Sequence, residues 1–159
     1  MGVGKSSVAR HVARRLGVRR FDLDFVLEEN ERRTVAQIID AEGEAAFRAI
    51  ETANLKRLLE NPNVQILSLG GGAWTLERNR EMIRKTGMTS VWLDATFEHC
   101  WLNITFSRKD RPLARDKQRA RQLFEERQKD YSLADWHFVI RSGSNPYDVA
   151  EQIVEEVFS

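Results

Sequence analysis

Apolar positions along the chain follow two rhythms, a helical spacing of three to four residues and short unbroken apolar runs. Val8, Val12 and Leu16 recur at four-residue spacing with Ala9 and Ala13 beside them, which predicts a helix over residues 5–16. Gly17 is placed to stop it. Phe21 to Phe25 reads as the start of a short strand carrying Asp22 and Asp24 on one face, since residues two apart project together. Thr34 followed by Gln37 has the spacing of a capping box and opens a short helix ending near Gly43. Phe47, Ile50, Leu55, Leu58 and Leu59 mark a longer helix that stops at Asn61-Pro62.

Residues 64–69 (VQILSL) form a buried-strand pattern that runs into Gly70-Gly71-Gly72. A helix over residues 76–85 follows, closed by Gly87, then a strand over 90–94 and a helix over 96–104. The segment 107–116 is polar, strongly basic and contains Pro112, which predicts a mobile loop. A helix over 117–129 and a last strand over 137–140 lead to Asn145-Pro146, an N-cap and first helical residue for a final helix over 147–158. Strands alternating with helices predict parallel βαβ units, hence an α/β fold with a sheet covered on both faces.

Composition narrows the class. A chain of 159 residues suits one domain with a real core. Its 25 basic and 24 acidic residues leave almost no net charge, which argues against a general nucleic-acid or membrane-surface binder. One cysteine, Cys100, excludes an intramolecular disulfide and a multi-cysteine zinc site, and fits a reducing compartment. No apolar run approaches the ~20 residues of a membrane span, and no signal sequence opens the chain. The expected location is the cytoplasm.

The candidate chemistry begins at the first residues. Gly2-Val3-Gly4-Lys5-Ser6-Ser7 is the back half of G-x-x-x-x-G-K-[ST], whose first glycine would precede residue 1. Gly2 and Gly4 let the backbone approach an anion, Lys5 offers a point charge to terminal phosphates, and Ser6 a hydroxyl suited to Mg²⁺. Half a motif is equally compatible with a flexible glycine-containing start to a basic helix. Asp22 and Asp24 can serve a phosphate site, one through water on Mg²⁺ and one by accepting a hydrogen bond from an attacking hydroxyl, or they can be solvated loop acids. Arg48 and Glu51 lie three apart on one helix face. They form either a plain ion pair, worth about 0–1 kcal/mol when exposed, or an arginine oriented toward a small carboxylate. Arg127 can be the second fork for such a ligand. The Gly70–Gly72 run exceeds what an ordinary strand-to-helix turn needs and allows close backbone approach to a ligand.

Taken in order, Gly4-Lys5-Ser6, Asp22-Leu23-Asp24, Gly43-Glu44-Ala45-Ala46-Phe47-Arg48 with Glu51, Leu69-Gly70-Gly71-Gly72-Ala73, Arg111-Pro112-Leu113, Arg127 and Tyr131 resemble shikimate kinase over essentially the whole chain. The resemblance implies a P-loop kinase related to nucleoside monophosphate kinases, a three-layer α/β/α fold with a five-stranded parallel sheet of order 2-3-1-4-5. It implies one domain over residues 1–159, with a substrate-binding helical region about 30–60 and a lid about 105–117. The first central strand is expected to be missing from this sequence, with a natural start about ten residues upstream of Met1.

The same resemblance implies transfer of the ATP γ-phosphate to the 3-hydroxyl of shikimate, with Mg²⁺ as cofactor; a monomer is expected, and no nucleic-acid or membrane partner. Lys5, Asp24 and Arg111 are then catalytic. Gly2, Val3, Gly4, Lys5, Ser6, Ser7, Arg111 and Pro146 contact ATP, and Ser6 and Asp22 attend the metal. Asp24, Arg48, Gly70, Gly71, Gly72 and Arg127 contact shikimate. Three positions depart from the family pattern: Ile104 where an adenine-packing arginine is usual, leaving Arg108 or Lys109 as substitutes, Lys129 where proline is frequent, and Ser7 for threonine. Trp74, Trp92, Trp101 and Trp136 are expected to pack rather than bind. Other readings are a gluconate kinase of the same fold, or a shikimate-kinase-like domain that binds without transferring phosphate; the retention of Lys5, Asp22 and Asp24 speaks against the last.

Overall fold

The structure is a computed structural model that describes residues 4–105, 116–141 and 143–158. It divides into two compact units, one built from residues 20–88 and the other from the N-terminal segment together with residues from Thr89 onward.

The 20–88 unit opens on strand β1 (Arg20–Asp22), which pairs in parallel with β2 (Ile66–Ser68), Phe21 opposite Leu67. Helices α2 (Leu23–Glu31), α3 (Val35–Glu42) and α4 (Glu44–Glu60) lie between these strands in sequence. A 3₁₀ turn (Ala73–Thr75) and α5 (Glu77–Lys85) follow β2. One core gathers Leu23, Leu55, Leu58, Val64, Ala73 and Ile83, and a second gathers Leu27, Ile38 and Phe47. Leu23, Leu27, Ile38 and Leu55 are fully buried, each worth about 1.5–3 kcal/mol relative to exposure.

The capping box opening α3 is formed as the spacing predicts, with Gln37 N–H donating to Thr34 Oγ1 and Thr34 N–H donating to Gln37 Oε1. Gly43 closes α3 and opens α4 in a single residue at φ 92°, a conformation only glycine adopts without strain. The strand expected from Phe21 to Phe25 is corrected: β1 ends at Asp22, and Asp24 is helical. Asp22 Oδ1 accepts the Phe25 N–H at 3.1 Å and caps α2. Leu23 and Leu27, one helical turn apart, are buried while Phe25 between them is 63% exposed. Helical periodicity and an N-cap outweigh the apparent alternation.

In the other unit, α1 (Lys5–Leu16) packs against α8 (Pro146–Val157), and Arg15 Nε meets Glu151 at 3.4 Å. Gly17 ends α1 in the left-handed conformation, and Asn145 Oδ1 accepts the Asp148 N–H to cap α8. Strands β3 (Val91–Asp94) and β4 (Trp136–Val139) pair in parallel, Trp92 opposite His137. Ser90 and Asp135 lock the start of this pair by two reciprocal 2.9 Å hydrogen bonds. Helices α6 (Phe97–Thr105) and α7 (Lys117–Tyr131) pack through Phe97, Trp101, Ala120 and Phe124. Trp136, expected to pack, is 37% exposed; only Phe138 of β4 is buried, and Trp136 stacks on it at 6.1 Å.

In the expected numbering the two strand pairs are neighbours 2-3 and 4-5. No strand corresponding to the first is present among the described residues.

Candidate active site

The glycine run after β2 is the centre of the site, because two chemically distinct side chains rest on it. A Cβ built on Gly70 would lie 3.0 Å from both carboxylate oxygens of Asp24. A Cβ on Gly72 would overlap the guanidinium of Arg48. The acid and the cation therefore occupy opposite ends of one three-residue turn, and the absent side chains are what admit them.

Each of these groups is held from behind. Asp24 sits in the first turn of α2, at the positive end of the helix dipole. Arg48 Nη1 donates to Glu51 Oε1 at 2.9 Å, and Arg48 Nη2 lies 3.5 Å from Glu44. Glu51 is 1% exposed and Arg48 mostly buried, so this is no solvated surface pair. A buried carboxylate fixes the fork and leaves part of it open to a further anion.

The turn is itself anchored. Ala73 N–H donates to the Gly70 carbonyl at 3.1 Å, and both the N–H and hydroxyl of Thr75 donate to the Gly72 carbonyl. From α5, Asn79 Nδ2 donates to Ala73 O and Arg80 Nη1 to Trp74 O. Neither Asn79 nor Arg80 stood out in the sequence; a fully polar pair on a helix beside an apolar core was the only signal.

In the other unit, Gly4 begins α1 at φ 88° with no side chain capping the helix. No acidic residue occupies the first turn, where Lys5, Ser6 and Ser7 lie and Ser6 is exposed. Uncapped first-turn N–H groups beside lysine and serine suit a phosphate. Arg127 on α7 is only 8% exposed, and no described residue takes its guanidinium in a hydrogen bond or ion pair. A buried cation is costly unless an anion offsets it. Pro146 is the first residue of α8.

Asp22 Oδ1 is committed to its cap, leaving Oδ2 for a ligand. Gly2, Val3 and residues 106–115 of the expected lid, Arg108, Lys109 and Arg111 among them, lie outside the described residues. Among the described residues no cluster of three or more His, Cys, Asp or Glu side chains could cage a metal alone. Cys100 is buried, and that burial pushes its thiol pKa up.

The sequence model of the shikimate kinase family matches residues 1–158. The chain is 37% identical to the shikimate kinase of Rhizobium meliloti, covering all of this chain and 80% of that protein. It is 41% identical to the shikimate kinase of Rhizobium leguminosarum bv. trifolii over 85% of this chain and 69% of that one. Among solved structures, the shikimate kinase of Acinetobacter baumannii in complex with shikimate superposes with TM-score 0.88 at 31% identity, covering 99% of this chain and 88% of that one. The Bacteroides thetaiotaomicron enzyme gives 0.86 at 26% identity, over all of this chain and 94% of that one. The fold is thus that of the P-loop shikimate kinases, and the chain belongs to the shikimate kinase family.

Proposed function

We propose that the protein transfers the γ-phosphate of ATP to the 3-hydroxyl of shikimate, releasing ADP and shikimate 3-phosphate. The observation that carries this reading is the pairing of Asp24 with Gly70 and of Arg48 with Gly72. Shikimate carries a carboxylate on one side of a small ring and the reacting hydroxyl away from it. A cation and a carboxylate at the two ends of one glycine turn match that distribution of groups.

Arg48, oriented by Glu51, and Arg127 are each assigned to the substrate carboxylate, to which a guanidinium fork is matched. Asp24 accepts the hydrogen bond of the 3-hydroxyl and takes its proton as the new P–O bond forms. Phosphoryl transfer passes through a loose transition state, so alignment of that hydroxyl contributes more than the basicity of Asp24. The backbone of Gly70, Gly71 and Gly72 lies against substrate and the transferring phosphoryl group. Gly2 to Ser7 and the start of α1 hold the ATP phosphates, Lys5 neutralises their charge, and Pro146 borders the adenine. Arg111 brings a further cation to the phosphates.

Hard oxygen donors suit Mg²⁺, which is commonly held by one or two protein groups together with nucleotide phosphates. The Ser6 hydroxyl and the Asp22 oxygen left free by capping fit that role. When bound, the ion neutralises charge on the β- and γ-phosphates. No helix among the described residues is long and apolar enough to cross a membrane, and we place the enzyme in the cytoplasm as a monomer.

The test is ADP release by the purified protein with ATP and Mg²⁺, comparing shikimate with gluconate as acceptor. Release that depends on shikimate and not gluconate is expected. Equal rates with and without shikimate would overturn the assignment.

A further inference from the structure

The glycine turn has no side chains of its own to set its position, yet both substrate-facing groups of this unit are placed by contact with it. One tie between the turn and α4, the helix that carries Arg48 and Glu51, is a buried amide. Asn79 is fully buried, its Nδ2 donates to Ala73 O at 2.9 Å, and its Oδ1 accepts the Thr52 hydroxyl at 2.9 Å. A carbonyl can only accept, so the amide has one orientation, and the Thr52 proton must point to Oδ1. Thr52 in turn receives Arg78 Nε at 3.2 Å, so its oxygen is used on both sides.

Thr52 lies four residues after Arg48, on the same face of α4, and next to Glu51. Ala73 directly follows Gly72, the residue on which the Arg48 guanidinium rests. We infer that Asn79 is a positioning residue for the substrate carboxylate: it ties the glycine turn to the Thr52 turn of α4, and so sets the height of Gly72 against Arg48. This rests on the shikimate kinase reading of the site. Asn79 touches no reacting atom.

An alternative for a buried asparagine is simple satisfaction of a loop carbonyl. That role predicts a loss of stability without selectivity between substrates. A positioning role predicts a selective effect, because the proposed nucleotide contacts belong to the other unit, and misplacement of binding groups by about 1 Å weakens catalysis strongly.

Asn79→Ala and Asn79→Asp would be assayed with shikimate and ATP varied separately, alongside thermal melting and calorimetric binding of shikimate. Asn79→Asp keeps an acceptor for Thr52 but sets an oxygen against Ala73 O. Both are expected to raise the shikimate KM about tenfold or more, as loss of a buried hydrogen bond allows, with the ATP KM changed less than about twofold. Thr52→Val should shift the shikimate KM in the same direction, Thr52→Ser should behave as wild type, and Thr52→Val with Asn79→Ala should be no worse than Asn79→Ala alone. Should the Asn79 variants fail to fold, the Thr52 pair alone decides. Equal changes in both KM values, no change in either, or indistinguishable Thr52 variants would overturn the inference. Wild-type protein that neither binds nor phosphorylates shikimate would instead overturn the reading of the site, and this inference with it.

Discussion

Gly72→Ala separates two reasons for a glycine at that position. Gly72 has φ −96° and ψ −14°, ordinary right-handed backbone that alanine adopts without strain. Substitution there should lower the entropy of the unfolded chain, stabilising the fold by about 0.4–1 kcal/mol before any clash. The clash is specific. The new Cβ would sit 2.6 Å from the guanidinium carbon of Arg48 and nearer to its terminal nitrogens. The guanidinium cannot swing aside without leaving Glu51, whose carboxylate is 2.9 Å away and buried. A hydrogen bond to a charged group is worth about 1.5–3 kcal/mol, so displacing the fork should weaken shikimate binding roughly 10- to 150-fold. The assay is steady-state ADP release with each substrate varied, paired with a melting curve. A folded Gly72→Ala enzyme whose shikimate KM lies within about twofold of wild type would refute the close-approach argument.

Three further outcomes are expected. Arg127→Leu removes a buried cation that no described residue pairs, so melting should be unchanged or higher while shikimate affinity falls at least about tenfold; a clear drop in melting temperature would mean Arg127 serves the fold instead. Arg32 closes α2 at φ 56°, a left-handed conformation that costs a side-chain-bearing residue about 1–2 kcal/mol, so Arg32→Gly should raise the melting temperature by about 2–4 °C without affecting turnover. Burial raises the Cys100 thiol pKa, so native protein at about pH 8 should resist thiol reagents and react only on unfolding. The sign of the linkage follows: the thiol ionises first in the unfolded chain, so its contribution to stability is intact at neutral pH and declines as pH rises above about 8.5. Rapid native labelling would contradict the burial.

Local order was largely readable from the residues alone. Helical apolar spacing gave α1 and α4, the Thr34 and Gln37 pair gave the cap of α3, and Asn145-Pro146 gave the start of α8. These features rest on neighbours within one turn of chain, so the sequence contains them in full. The Asp22 and Asp24 segment misled because alternation over five residues is too short to exclude a helix, and Asp22 acts as a cap rather than a strand residue. The order of sparse motifs sufficed to point to the family.

What the sequence could not decide is which of its many charged side chains are buried and against what. Arg127 is one of several basic residues on α7; the family resemblance picks it out, but its burial, with no partner among the described residues, is visible only in the packing. Contact between Arg48 and Gly72, or the bridge from Thr52 to Asn79 across 27 residues of chain, depends on how α4 and α5 lie around a shared core. Periodicity specifies faces; the distance between two faces is set by the volumes packed between them, and that is a property of the folded chain alone.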